Sequence, residues 1–281
     1  MFASDFTVQK NPTPQSKSNL RSDLGYALVT GASRGLGRCF ARTLAAQGRN
    51  LVLAARSAEK LEKIAAELRA KDDIQVEIVT IDLAQPGAGQ KLAAELASRS
   101  LHIDLLVNNA GFGDQGRFLE MPLERQVEMI TLQNATVVEL THRLLPAMIE
   151  QKNGGVINVS SVAGFQPIPF ATVYSAAKAF LTTFSLALEA EMVRHKIPVV
   201  TVCPGRLAVA AEDFDPTVTR KKLPGGEQTH ELVVAETLRS LERGGGLVIP
   251  GAVNKFATFA GRFVPRSKMA RLIKNISKPP S

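Results

Sequence analysis

The sequence predicts a doubly wound α/β domain with a seven-stranded parallel sheet and helices on both faces. Short apolar runs alternate with stretches of helical periodicity along most of the 281 residues. Repeated strand-then-helix order indicates parallel strands joined by crossover helices. The length of the chain and its hydrophobic content of 45% suit one large globular domain or two small ones, and the chain shows no internal repeat and no linker that would split it.

The strands and helices can be assigned in chain order from these runs. The apolar runs of the first half are YALVT, NLVLAA, VEIVTID and IDLLVNN. The intervening segments RCFARTLAAQG, AEKLEKIAAELRA and GQKLAAELASR have helical spacing. GVINVSS, PVVTVCPG and GLVIP continue the strands, separated by helical stretches at 123–150, 172–195 and 229–243. Ligands of such a sheet bind beyond the carboxyl ends of its strands.

Composition divides the chain into three regions. Residues 1–24 mix Asn, Pro, Gln and Ser with little apolar content, which predicts a flexible extension. Residues 25–251 hold the predicted domain, within which the charged, Pro/Gly-rich segment 206–228 predicts a mobile lid. Residues 252–281 form a basic tail.

The net charge of +8 is concentrated in this tail. Residues 252–281 carry seven basic and no acidic side chains, which leaves 27 basic against 26 acidic residues elsewhere. No basic nucleic-acid-binding domain is indicated.

The end of the tail has the pattern of a basic amphipathic helix. Met269, Leu272, Ile273 and Ile276 recur at helical spacing, and other faces carry the basic residues Lys268, Arg271, Lys274 and Lys278. Such a helix can dock on the domain, on a second subunit, or on an anionic membrane. The sequence leaves all three open.

Cysteine and histidine usage gives no sign of a disulfide framework or a metal site. Cys39 and Cys203 are far apart, and the four histidines have no ligand spacing. A reducing compartment is expected. No stretch is apolar enough to span a bilayer, and the N-terminus lacks the apolar core of a signal peptide. We therefore expect a cytoplasmic protein, with membrane association through residues 252–281 as an alternative.

A glycine-rich turn, TGASRGLG, follows the first strand and opens a helix. Gly31, Gly35 and Gly37 allow a tight turn and a close approach of backbone amides to a phosphate at the helix N-terminus. The spacing differs from the general dinucleotide fingerprint. The strand-turn-helix context nevertheless favours a dinucleotide site.

Two arginines suggest which dinucleotide is bound. At the end of the second strand, where an acidic residue would hold the ribose 2′-hydroxyl of NAD, the sequence has Ala55 and Arg56. A guanidinium there can hold a 2′-phosphate, and Arg34 of the glycine turn could approach the same group. These residues favour NADP(H).

Four motifs in order resemble the short-chain dehydrogenase/reductase family: TGASRGLG, NNAG at 108–111, SS at 160–161, and YSAAK at 174–178. Ser161 precedes Tyr174 by thirteen residues, as is typical of that family, while Ser160 is expected to end the strand. The resemblance covers residues 25–251 and implies a Rossmann-type fold. The tail resembles DltE-like bacterial members, and the central part resembles reductases of 3-ketoacyl-CoA and steroid ketones.

The resemblance implies a catalytic set of Ser161, Tyr174 and Lys178. Tyr174 would serve as general acid or base, although a free tyrosine has a pKa of about 10. Lys178, one helical turn away, would lower that pKa and hold the nicotinamide ribose, and Ser161 would hydrogen-bond the substrate oxygen. A homodimer or homotetramer is also implied.

The resemblance further implies a set of cofactor-binding residues. Asp82 should meet the adenine edge, and Asn108 should line the adenine pocket or brace the fourth strand. The full set is Gly31, Ser33, Arg34, Gly35, Leu36, Gly37, Arg56, Asp82, Leu83, Asn108, Ala110, Gly111, Tyr174, Lys178, Pro204 and Gly205.

The sequence departs from the family pattern at two places. The asparagine that relays a water to the lysine corresponds by count to Gln133, with Asn134 next to it. After CPG, a threonine that meets the nicotinamide carboxamide is replaced by Val209. These departures leave a cofactor-binding sensor without turnover as an alternative, beside a peripheral membrane protein that acts through its tail.

The leading hypothesis is an NADP(H)-dependent oxidoreductase that interconverts a ketone or aldehyde and an alcohol. Several apolar side chains flank the motifs expected around the substrate, which favours a lipophilic carbonyl compound, although core packing would explain them equally. These residues are Phe112, Phe118, Phe165, Ile168 and Phe170.

Overall fold

The structure is a computed structural model that describes residues 25–209, residue 213 and residues 226–276. The predicted extension at 1–24 lies outside the described residues, as does most of the predicted lid at 206–228.

Seven parallel strands form one sheet, which confirms the predicted fold class. The spatial order of the strands is β3-β2-β1-β4-β5-β6-β7, so the direction of winding reverses between β1 and β4. Ligands of doubly wound sheets bind at this reversal. The strands are β1 (Tyr26–Thr30), β2 (Leu51–Ala55), β3 (Val76–Thr80), β4 (Ile103–Asn108), β5 (Gly155–Val159), β6 (Val199–Val202) and β7 (Gly246–Val248).

Helices cover both faces of the sheet because every central strand is apolar on both sides. Val29 of β1 packs toward the first two helices and the seventh, whereas the neighbouring Leu28 packs toward the third, fifth and sixth. The helices are α1 (Gly35–Ala46), α2 (Ala58–Lys71), α3 (Ala88–Ser98), α4 (Leu123–Ile130), α5 (Thr136–Gln151), α6 (Thr172–Met192), α7 (His230–Glu242), α8 (Ala252–Gly261) and α9 (Arg266–Ile276).

Two regions differ from the predicted elements. The helical stretch expected over 123–150 is interrupted by a π-helical turn, Thr131–Ala135, that joins α4 to α5. In the tail, the helix predicted near its end is present as α9, and it is preceded by a helix that was not predicted, α8, which ends at Gly261 before Pro265.

Within the described residues, no helix has both the length and the apolar character that a membrane span needs.

Candidate active site

The glycine turn lies at the reversal of the sheet and is fastened to the neighbouring strand. The backbone N–H of Gly31 donates to the carbonyl of Ala54 in β2 at 2.8 Å. Ser33 is half-buried in the turn, and Leu36 is buried in the first turn of α1. The turn therefore stands at the carboxyl ends of β1 and β2, where a dinucleotide was predicted.

Thr30 and Asn109, which the sequence analysis did not single out, lock this turn onto the end of β4. The Thr30 hydroxyl accepts hydrogen bonds from the backbone N–H groups of Asn109 (2.9 Å) and Ala110 (3.0 Å). The Asn109 side-chain amide donates to the carbonyl of Thr30 at 2.9 Å. Both residues lie inside the recognised motifs, so the motifs themselves were the available signal.

Two of the glycines are required by close packing in this turn. Gly31 has φ +67°, and a Cβ there would lie 2.9 Å from the Cα of Ala110. A Cβ on Gly37 would lie 2.3 Å from the carbonyl oxygen of Gly31. The turn thus forms a backbone cradle of the kind that fits a pyrophosphate.

The two arginines predicted to select NADP are both available. Arg34 and Arg56 are exposed, and neither guanidinium has a hydrogen bond or ion pair among the described residues. They follow β1 and β2, which are adjacent and parallel. A phosphate bound at these strand ends could therefore form ion pairs with the Arg34 and Arg56 guanidinium groups.

An acidic residue from the predicted lid segment lies at the start of α1. The Asp213 carboxylate accepts hydrogen bonds from the backbone N–H of Gly35 at 2.9 Å and from the buried Arg38 guanidinium at 2.7 Å. Sequence separations of 178 and 175 residues hid both contacts from the sequence analysis. One of the amides expected to hold a phosphate is therefore bound to a carboxylate of the chain itself.

Asp82 and Leu83 lie just after β3, as predicted, and both accept hydrogen bonds. The Asp82 carboxylate accepts from the backbone N–H of Ala84 at 3.1 Å and thereby caps the turn. The carbonyl of Leu83 accepts from the Thr136 hydroxyl at 2.8 Å, which ties this turn to α5.

Asn108 braces the sheet. Its side-chain amide is buried and donates to Asn158 of β5 at 2.9 Å and to Thr141 of α5 at 3.3 Å. Of the two roles foreseen for this residue, the contacts support the bracing of β4. The following Ala110 and Gly111 leave the strand beside the glycine turn, and a Cβ on Gly111 would lie 3.1 Å from the Gln133 side chain.

Tyr174, Ser161 and Lys178 are assembled in one place. Ser161 follows β5, and its hydroxyl accepts from the backbone N–H of Ala163 and hydrogen-bonds the Tyr174 phenol. Tyr174 and Lys178 lie one turn apart on α6, with the ammonium 5.8 Å from the centre of the phenol ring. The Lys178 ammonium is buried and donates to the carbonyl of Val159 at 2.9 Å. The SS motif after β5 and the YSAAK motif on α6 thus meet in one site.

Ser160, the residue beside Ser161, has a structural role, as expected. Its backbone N–H donates to Val202 of β6, and its buried hydroxyl donates to the carbonyl of Lys178 at 2.9 Å. Ser160 therefore joins β5 to α6.

Burial sets the proton affinities of the tyrosine and the lysine. It raises the pKa of Tyr174, and the hydrogen bond from Ser161 only partly opposes this effect. Burial also lowers the pKa of Lys178 to about 8, so the side chain is mostly an ammonium at neutral pH. Among the protein's own groups, desolvation of the phenolate is thus the larger influence on the pKa of Tyr174 and acts against the lowering that the proposed acid-base role was expected to need.

Gln133 and Asn134 both lie in the π-helical turn and are buried. The Gln133 amide donates to the carbonyl of Phe112 at 3.0 Å, so this side chain supports the loop after β4. The side-chain oxygens of Gln133 and Asn134 both lack a hydrogen-bond partner among the described residues. Both residues therefore remain candidates for the relay position.

The segment after β6 closes the site from the other side. The carbonyl of Pro204 accepts from the backbone N–H of Val162 at 3.0 Å, and Gly205 donates to the Gln228 side chain at 2.9 Å. Val209 is half-buried, near the end of this described segment. The CPG turn therefore borders the segment that follows Ser161.

A small cavity opens beside Tyr174. Its apolar lining includes Phe118, Met121, Met129 and Val173. The other predicted apolar residues are not part of its lining: the Arg125 guanidinium lies 3.6 Å from the centre of the Phe112 ring, and the remaining three follow Ser161. These residues are Phe165, Ile168 and Phe170.

Within the described part of the chain, no three His, Cys, Asp or Glu side chains cluster in a way that could hold a metal ion.

Comparison with known proteins agrees with this geometry. The short chain dehydrogenase family profile matches residues 25–215. The very-long-chain 3-oxoacyl-CoA reductase of Bos taurus is 34% identical over 183 residues, which cover 64% of this chain and 58% of that protein. The chain thus spans about three fifths of the length of the curated relatives it matches.

Two solved structures share the fold over nearly their full length. A 7β-hydroxysteroid dehydrogenase superposes with a TM-score of 0.78 at 26% identity, covering 89% of this chain and 96% of its own. A short-chain dehydrogenase from Sphingobium yanoikuyae in complex with NADPH gives 0.73 at 28% identity, covering 91% and 98%. The chain belongs to the short-chain dehydrogenase family of oxidoreductases.

Proposed function

We propose that this protein is an NADP(H)-dependent oxidoreductase that interconverts a lipophilic ketone or aldehyde and the corresponding alcohol. The observation that carries the proposal is the convergence of Ser161, Tyr174 and Lys178 at the carboxyl end of β5. A sensor without turnover would have no need of this arrangement, which disfavours that alternative.

The side chains of the site suit reduction of a carbonyl. A bound reduced nicotinamide would supply the hydride. Tyr174, kept protonated by its raised pKa, donates its phenolic proton to the carbonyl oxygen. Ser161 hydrogen-bonds the same oxygen and orients the phenol. Lys178 is held by Val159 and presents its positive charge next to the phenolate that forms.

The choice of NADP(H) rests on the glycine cradle and on Arg34 and Arg56, whose guanidinium groups form no ion pair among the described residues. A 2′-phosphate near Arg34 and Arg56 would form charge-assisted hydrogen bonds that a 2′-hydroxyl cannot. The NADPH complex of the structurally similar Sphingobium yanoikuyae enzyme supports the same choice.

The substrate class is inferred from the cavity beside Tyr174, whose lining combines apolar side chains with Asp114, Gln126 and Thr172. Its lining with Phe118, Met121 and Met129 would bury an apolar group next to the reacting carbonyl. Two similar proteins are named as a very-long-chain 3-oxoacyl-CoA reductase and a 7β-hydroxysteroid dehydrogenase, and both names denote large lipophilic substrates.

A reductase screen tests the proposal. Purified protein is offered steroid ketones, long-chain 3-oxoacyl thioesters and short polar ketones, with NADPH or NADH consumption as the signal. We expect turnover of a large apolar ketone with NADPH and weaker activity with NADH. Arg56→Ala should lose most of the preference for NADPH, whereas Arg239→Ala, an exposed arginine on α7, should keep it. Equal affinity of the unmodified protein for both cofactors would refute the NADP(H) assignment.

A further inference from the structure

The helix α8 carries its aromatic side chains on the solvent side. Phe256, Phe259 and Phe263 follow one face of α8 and of the turn after it, and their side chains are 73%, 58% and 74% exposed. The Phe259 and Phe263 rings contact each other edge to face, with their centres 5.3 Å apart. Three neighbouring exposed phenylalanines are unusual on a soluble monomer.

The opposite face of α8 is polar and packs against the domain. Thr258 is buried, and its hydroxyl donates to the carbonyl of Asn254 at 2.8 Å. Asn254 lies close enough to Gly205 that a Cβ there would clash with its side-chain amide at 2.3 Å. An ordinary surface helix buries its apolar face. Here the apolar face is outward, which indicates that something else covers it.

Basic residues surround these phenylalanines. Residues 252–281 have no acidic side chain. The described basic residues of this region are Lys255, Arg262, Arg266, Lys268, Arg271 and Lys274. We call the three phenylalanines and these six residues the C-terminal surface.

We propose that the C-terminal surface binds the headgroup region of an anionic lipid bilayer. Aromatic side chains insert at the boundary between headgroups and acyl chains, and basic side chains near them attract anionic lipids. A second copy of the chain is the weaker candidate, because a two-fold contact would bring two acid-free basic surfaces together.

The C-terminal surface adjoins the candidate active site. α8 packs against the 3₁₀ turn Val162–Phe165, which directly follows Ser161. A Cβ on Gly261 would lie 3.2 Å from the side chain of Gln166. Docking would therefore bring the substrate entrance to the membrane surface, where a lipophilic carbonyl compound is concentrated. This last step rests on the proposed function, whereas lipid binding itself does not.

Vesicle cosedimentation of the full chain tests the proposal. We expect binding to vesicles of 70% phosphatidylcholine and 30% phosphatidylglycerol, little binding to pure phosphatidylcholine, and weakening by salt. Replacing Phe256, Phe259 and Phe263 together by Ser should lower the partition coefficient at least ~10-fold. Replacing Lys255, Arg262 and Arg266 together by Gln should lower it ~100-fold at low salt.

Matched controls separate this role from general surface effects. Leu119→Ser removes a side chain that is 93% exposed elsewhere, and the triple change of Lys60, Lys63 and Lys71 to Gln removes charge from α2. Both should bind vesicles like the unmodified chain. Tyr174→Phe should also bind normally, so failure of the proposed enzyme function would not affect this test.

Several outcomes would overturn the proposal. The first is that the full chain does not pellet with anionic vesicles. The second is that the control variants lose vesicle binding as much as the variants of the C-terminal surface. The third is that the chain binds random-sequence DNA more tightly than vesicles. A concentration-dependent dimer in light scattering that the serine variant abolishes would assign the surface to a second copy. NADPH binding and thermal unfolding of each variant establish that it is folded. If the serine variant does not fold, the glutamine variant alone still tests the proposal.

Discussion

Tyr174 and Lys178 show how burial and charge compete in one small site. Both lose water on folding, and for each the neutral form is favoured. In the proposed reaction the neutral form of Tyr174 is the proton donor, which suits the direction of carbonyl reduction. For Lys178 the pKa of about 8 still leaves the ammonium dominant at neutral pH.

Tyr174→Phe tests the proton donor. The change keeps the ring and its packing but removes the hydroxyl that Ser161 contacts. We expect turnover to fall by ~100-fold or more, the scale of general acid catalysis, with NADPH affinity changed little. Steady-state kinetics with a substrate from the reductase screen, together with NADPH titration, measures both. A variant with near-normal turnover would exclude Tyr174 as the acid.

Lys178→Met tests the cost of the buried ammonium. In the unfolded chain a lysine has a pKa of about 10.4, so the folded protein binds this proton more weakly. Below pH of about 8 both states are protonated, and burial of the charge costs the folded state ~3 kcal/mol. Between about 8 and 10.4 only the unfolded state keeps the proton, so this cost is lost as pH rises.

We therefore expect Lys178→Met to be more stable than the unmodified protein at pH 7, by ~1–3 kcal/mol after loss of the Val159 hydrogen bond. The advantage should shrink between about pH 8 and 10. Urea unfolding at both pH values measures it, with the exposed Lys63→Met as control. A difference independent of pH would contradict the lowered pKa.

At the start of α1, the sequence motif predicts a bound phosphate, whereas the tertiary structure places a side-chain carboxylate there. TGASRGLG indicates an anion site, and the structure supplies an anion from the chain, the carboxylate of Asp213. The buried Arg38 strengthens this contact as an ion pair. A cofactor phosphate that binds the Gly35 amide would have to displace Asp213.

Asp213→Asn should therefore tighten NADPH binding. The amide keeps the size of the side chain but weakens its charged hydrogen bonds to Gly35 and Arg38. We expect the dissociation constant for NADPH to fall by ~3- to 10-fold, as measured by fluorescence titration. The exposed Asp73→Asn, in the bend between α2 and β3, serves as the control. Unchanged or weaker binding would show that Asp213 does not compete with the cofactor.

For the folded domain as a unit, cofactor binding and stability are linked. The glycine cradle joins β1, β2 and β4 through Thr30, Gly31 and Asn109, so a bound dinucleotide would contact the centre of the sheet. A ligand that binds only the folded state raises its stability by mass action.

NADPH at 100 times its dissociation constant should stabilise the protein by ~2.7 kcal/mol. For a domain of this size the melting temperature should rise by roughly 5–10 °C. NADH at the same concentration should give a smaller rise, and Arg56→Ala should bring the NADPH shift close to it. Thermal unfolding monitored by circular dichroism measures these shifts. Identical shifts for the two cofactors in the unmodified protein would contradict the role of Arg56.

The strand and helix order and the location of the candidate site follow from the sequence. Alternating apolar runs indicate the seven strands because parallel strands are buried on both faces. The glycine turn and the Tyr174–Lys178 pair were recognisable because each is a contiguous motif whose geometry depends on local backbone.

The tertiary structure decided what those local patterns could not. The bracing role of Asn108 and the Asp213 contact with α1 both depend on partners distant in sequence. The same holds for α8: its spacing shows two different faces, but only its packing through Thr258 shows that the aromatic face points outward. Periodicity is a property of the local chain, whereas the face that is buried and the pKa that results depend on which other elements pack there.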